Sequence, residues 1–162
     1  MSSIVVGVDG SPEAQAALRW AVDESAMTGA KLTAMYVYPP AKRSEPFLGS
    51  SHFPDSATVQ QLAGESRRWN EQQDRMSHDV AMRNLSRFVQ EVVTREVDVH
   101  VQLVAMPGKP SRRLVEASKG ADLLVVGARG HGGFKDLKLG SVSEQCVRHA
   151  RCPVLVVRGS DR

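Results

Sequence analysis

The run Leu123, Leu124, Val125, Val126, headed by Asp122, is the strongest constraint on what this chain can fold into. Consecutive apolar residues bounded by turn formers leave no polar face. A strand here must therefore be covered on both sides, as in parallel sheets with helices above and below. Directly after it come Gly127, Ala128, Arg129, Gly130, His131, Gly132 and Gly133, and the loop closes on Gly140 and Ser141. Glycine tolerates positive φ and has no Cβ to hold a ligand away. The first amides of a helix have no intrahelical partner and lie at the positive end of its dipole. A buried strand, a glycine-rich loop and Gly140-Ser141 opening a helix together propose a phosphate site.

Two other phosphate motifs are absent. A P-loop ends in Gly-Lys-Ser/Thr, but Gly108-Lys109 runs into Pro110 and has no glycine at the required distance before it. A dinucleotide fingerprint needs a third glycine three residues after the second, and after Gly130 and Gly132 that position is Lys135.

The rest of the chain alternates strand and helix signals. Ser3 to Val8 is short, apolar and β-branched and runs into the turn Asp9-Gly10. Ser11-Pro12 supplies an N-cap and a first-turn proline; Ala14, Ala17, Leu18, Ala21, Val22 and Ser25 follow at helical spacing, and Gly29 closes the helix. Lys31 to Val37 reads as the second strand, so the chain opens β-α-β with a right-handed crossover. Residues 38 to 57, with four prolines and Gly49, read as a long loop. A long helix follows, starting between Ala57 and Asn70 and carried by Leu85, Phe88, Val89, Val92 and Val93. Then come a third strand over Val97 to Val104, a short helix over Ser111 to Ser118, a fourth strand over Asp122 to Val126, a helix over Ser141 to His149 and a last strand over Val154 to Arg158. This order gives an open α/β sheet, five-stranded and parallel, with helices on both faces. In such sheets ligands sit beyond the carboxyl ends of the strands, where strand order reverses.

Composition narrows the class. The chain has 162 residues, 41% of them hydrophobic and 24% charged, which predicts one globular domain. No segment approaches the roughly 18 to 20 apolar residues of a membrane span, and the start carries no secretory signal pattern. Two cysteines without that signal predict free thiols in a reducing, cytoplasmic setting. The net charge of +3 comes without any block of like charges, so neither nucleic acid nor a membrane is expected as partner. Cys146 and Cys152 have no metal-ligand spacing, and no structural metal is expected.

Gly127, two residues, Gly130, nine residues, Gly140 and Ser141 form a spacing that resembles the nucleotide-binding signature of the universal stress protein family. The resemblance extends to Ile4 through Ser11, to Gly108-Lys109-Pro110 and to Cys152-Pro153 followed by Val154 through Val157, covering nearly the whole chain except residues 39 to about 75. It implies strand order 3-2-1-4-5, Rossmann-like, with the crevice between the first and fourth strands. It implies ATP, with Mg2+ shared between phosphates, held around Gly7, Asp9, Val37, Gly108, Gly127, Arg129, Gly130, His131, Gly132, Gly133, Gly140, Ser141 and Val142. Val37 would meet the base through its backbone, and Gly108 the ribose side. The implied role is a nucleotide-dependent stress or signalling module that senses or stores, with no catalytic residue assigned. The alternatives are a slow ATP hydrolase or phosphotransferase using Asp9 or His131, and an interaction domain without nucleotide. A homodimer through Val154 to Val157 is implied too, and a bare sheet edge there would favour pairing. Residues 40 to 57 are read as a lid.

Several of these residues carry a structural reading as well. Asp9 suits an Asx turn onto Ser11 as well as a ribose or a bridging cation. Ser141 to Glu144 fits a capping box. Arg129 suits a phosphate or a solvated loop, and His131 has no neighbouring carboxylate to orient it. Lys135 and Lys138 read as surface charge, Phe134 and Leu137 as loop anchors, and Cys146 as a packed thiol beside Val142.

Overall fold

The computed structural model describes residues 3–44, 56–93, 98–130 and 139–159. Within them lie β1 (Ser3–Val8), α1 (Pro12–Thr28), β2 (Lys31–Tyr38), α2 (Ser56–Val92), β3 (Val101–Pro107), α3 (Pro110–Ala117), β4 (Leu123–Gly127), α4 (Ser141–His149) and β5 (Val154–Val157), with one 3-10 turn at Ser118–Gly120. The strands form one five-stranded sheet in the order β3-β2-β1-β4-β5, parallel at every pairing. β1 is central, with Val5 opposite both Thr33 of β2 and Leu124 of β4.

The sheet is buried on both faces, as the apolar run demanded. Ile4, Val6, Leu123 and Val125 point to one side, where they meet Ala17, Leu18 and Ala21 of α1 and Leu85 and Val89 of α2. Their strand neighbours Val5, Leu124 and Val126 point to the other, against Leu114 of α3 and Cys146 of α4. α1 starts where Ser11 Oγ accepts the Ala14 amide at 3.1 Å. It stops at Gly29, whose φ of 70° and N–H bond to the Ser25 carbonyl form a left-handed cap.

Most element bounds fall within one residue of the sequence reading, and β3 and α2 need an account of their own. β3 occupies Val101–Pro107 rather than 97–104. Alternation begins at Val97, which lies outside the described residues, yet ladder pairing begins only where β2 supplies a partner, at Leu32 opposite Val101. The strand then continues to Pro107 opposite Tyr38, and a proline is tolerated there because β3 is an edge strand. α2 starts at Ser56 and runs for 37 residues, longer than its apolar periodicity marks. Most of the loop read as a lid, residues 45–55, lies outside the described residues.

Candidate functional site

The carboxyl ends of β1 and β4 diverge into a cavity of about 680 Å³, walled on its other sides by β2, α3 and α4. Its shape comes from three close approaches. At Gly7 a Cβ would meet Leu114 Cδ1 of α3 at 2.8 Å. At Gly127 it would meet the backbone carbon of Glu13, in the first turn of α1, at 2.9 Å. At Gly130 it would fall on Asp9 Oδ2. Glycine at these positions lets α3, α1 and the Asp9 carboxylate close in on the strand ends. Gly7 thus makes room for Leu114, which lines the cavity with it, rather than for a ligand directly.

Asp9 spans the crevice. Its Oδ1 accepts the Ser11 amide at 3.0 Å, an Asx turn that fixes the side chain, while Oδ2 reaches the loop after β4. Arg129, on that loop, has its Nε 4.0 Å from Glu13 Oε1, with roughly a third of its side chain exposed.

The far wall is the start of α4. Gly140 is its N-cap (φ −76°, ψ 161°) with no side-chain cap bond, and Ser141 is already helical. The capping box expected at Ser141 is therefore not made, and Glu144 pairs with Arg148 at 2.8 Å instead. The fastening comes from a residue the sequence reading passed over. Ser143 is 2% exposed and its hydroxyl lies 2.8 Å from the Ala128 carbonyl and 2.9 Å from that of Gly140. The Gly140 amide donates to the same Ala128 oxygen at 2.7 Å, so β4's exit is bound to α4's entrance. With Gly140 so engaged, the N–H groups that lack an intrahelical carbonyl are those of Ser141, Val142 and Ser143. All three residues line the cavity. Ser143 stands three residues before buried Cys146 on one helical stripe, a spacing that marks it as inward-facing.

Of the residues singled out in the sequence, Gly7, Asp9, Val37, Gly127, Arg129, Gly130, Gly140, Ser141 and Val142 line this one cavity. Gly108 does not. Its φ of 140° and its N–H bond to the Tyr38 carbonyl (2.8 Å) make the turn from β3 into α3, and Pro110 reaches the cavity in its place. His131, Gly132 and Gly133 lie outside the described residues, as do Phe134, Lys135, Leu137 and Lys138. Met35, Tyr36 and Pro39 extend the β2 wall around Val37. A second cavity of about 400 Å³, on the α2 side, shares Val8, Asp9 and Tyr36 with the first.

Cys146 has no solvent exposure, and burial pushes its thiol up to about 11. Cys152 is half-buried and likewise raised, chiefly by burial. Among the described residues no three His, Cys, Asp or Glu side chains gather as metal ligands, and no helix is long and apolar enough to cross a membrane.

A family profile described as the universal stress protein family matches residues 1–158. A universal stress protein of Mycolicibacterium smegmatis is 34% identical over 159 residues, 98% of this chain and 49% of that one. The chain spans about half the length of the curated relatives it matches. Among solved structures, the universal stress protein UspA from Lactobacillus plantarum is 27% identical with a TM-score of 0.62, over 97% of both chains. A universal stress protein solved in complex with cAMP shares the fold at a TM-score of 0.57 and 24% identity, over 98% of both chains.

Proposed function

Because the chain belongs to the universal stress protein family, we propose that it binds a nucleotide, ATP with Mg2+, in the cavity between β1 and β4, and acts as a nucleotide-dependent stress or signalling module. The observation that carries this reading is the convergence, in one cavity at the sheet's switch point, of the α4 amides of Ser141, Val142 and Ser143 with the Asp9 carboxylate and Arg129. The amides and Arg129 suit phosphate oxygens. Asp9 suits ribose hydroxyls or a cation shared with the phosphates; Mg2+ would supply charge neutralisation there. The wall of Met35, Val37 and Pro39 is apolar and suits the flat faces of a base. A volume of about 680 Å³ is within the range of small-molecule sites. A universal stress protein of this fold is known in complex with cAMP, so AMP and cAMP belong in the same titration as ATP and ADP.

The test is to denature the purified protein, identify any released small molecule by mass spectrometry, and titrate the emptied protein with each nucleotide. ATP bound, with affinity reduced roughly tenfold or more by Asp9→Ala, is expected. No nucleotide released and no affinity for any of the four would overturn the reading.

The same proposal includes a homodimer through β5. Among the described residues that strand pairs only with β4, which leaves Val154 to Val157 half-buried at the sheet's edge, where an unpaired ladder favours association.

A further inference from the structure

The second cavity, of about 400 Å³, opens where the turn after β1 faces the C-terminal half of α2. Among the described residues its wall takes nothing from α3 or α4, and it meets the cavity proposed for the nucleotide only at the partition of Val8, Asp9 and Tyr36. Its floor is apolar. Val8 and Leu85 are buried, and Tyr36 and Phe88 are half-buried against the same core. Its rim belongs to α2, where Asn84, Arg87 and Glu91 follow at helical spacing and are exposed. The charges on this rim are not spent on each other. Arg87 and Glu91 stand one turn apart, yet no ion pair joins them, and neither has another polar partner among the described residues. Arginine preceding glutamate is the less favourable order for such a pair. Asp9 is already engaged, since its Oδ1 accepts the Ser11 amide at 3.0 Å and its Oδ2 faces the loop after β4. The cavity therefore presents one cation and one anion above an aromatic and aliphatic floor.

We propose that this cavity binds a free α-amino acid with an apolar side chain. A cation and an anion on neighbouring turns match a ligand that carries both charges on a single carbon. Arg87 takes the carboxylate, for which its planar fork is suited, and Glu91 takes the ammonium. A ligand with one charge is served less well: a simple carboxylate meets Glu91 and a simple amine meets Arg87, like charge against like. A polyphosphate is disfavoured further, because Asp9 and Glu91 together outweigh Arg87. The side chain of the amino acid lies on Tyr36 and Phe88, whose faces suit a ring or a branched aliphatic group. Asn84, which also has no polar partner among the described residues, is left to hydrogen-bond the carboxylate. A volume of about 400 Å³ is toward the small end of ligand sites, in keeping with a guest smaller than a nucleotide.

Titration of the full chain, emptied of nucleotide, with L-phenylalanine and with L-leucine tests this by calorimetry and by NMR. Because no nucleotide is present, the outcome stands apart from the reading of the first cavity. Saturable binding is expected, with shifts at the backbone amides of Gly10 and Phe88. Arg87→Ala and Glu91→Ala should each weaken it roughly tenfold or more, with circular dichroism unchanged because both side chains are exposed. Phenylacetate, which lacks the ammonium, and phenethylamine, which lacks the carboxylate, should bind at least about tenfold more weakly than phenylalanine. No saturable binding of either amino acid overturns the proposal, and so does binding that either substitution leaves unchanged. Phenylacetate or phenethylamine binding as tightly as phenylalanine overturns the zwitterion in favour of a singly charged guest.

Discussion

At the scale of single residues, glycines that look alike in sequence do different work. A Cβ at Gly127 would meet backbone atoms of Glu13 and Ala14, at 2.9 and 3.1 Å, whereas one at Gly7 would meet the flexible end of Leu114. Backbone cannot yield as a rotamer can. Gly127→Ala should therefore cost about 1–3 kcal/mol of stability and Gly7→Ala less, as read from urea unfolding midpoints. Equal effects would show that the fit around α1 is looser than described. Cys146 makes a second test. Its thiol is raised from its ordinary 9.0 to about 11, so between those values the unfolded chain loses a proton that the native chain keeps. Native stability then falls as pH rises through that window, by up to about 3 kcal/mol. Subtracting the pH profile of Cys146→Val from that of the wild type should isolate this slope, and identical profiles would refute it. The packed thiol was legible in sequence because Cys146 shares an apolar stripe with Val142. The fastening by Ser143 was not, because a serine in a first helical turn announces a cap more readily than a tie to Ala128.

At the scale of elements, α1 was legible from end to end because its signals are local. Ser11, Pro12 and Gly29 act within a turn of where they stand. The limits of β3 were not, because they are set by the reach of β2. α2 divides between the two cases. Leu85, Val89 and Val92 announce its packed half, while its first 25 residues carry no core-facing periodicity from which a start could be read. The two halves should answer differently to truncation. Leu85, 2% exposed, should cost about 2–4 kcal/mol as Leu85→Ala. Leu62→Ala, measured at concentrations too low for association, should cost under about 1 kcal/mol. Thermal unfolding of both variants decides it, and a large loss at Leu62 would mean that the first half packs within its own chain.

At the scale of the whole molecule, the alternation of strands and helices established the fold class, while the order 3-2-1-4-5 followed from resemblance and is the order observed. Periodicity says which segments are strands but not which strand enters the sheet beside which. The gathering of Asp9, Gly127, Arg129 and Ser141 depends on that order, since β1 and β4 are far apart in sequence and adjacent in space. The exposed edge of β5 belongs to this scale as well. Val156→Lys should leave secondary structure intact and halve the associated mass by sedimentation. An unchanged mass for Val156→Lys would remove β5 from the assembly.

The three glycine contacts also set the terms on which this pocket could be redesigned. Its floor is shared property: changing Gly7, Gly127 or Gly130 moves α3, α1 or Asp9 before it alters any ligand. Its margin is not so encumbered. Val37, Pro39 and Val142 border the opening without being fully buried, and side chains there can be exchanged to favour one guest over another while the frame stays put.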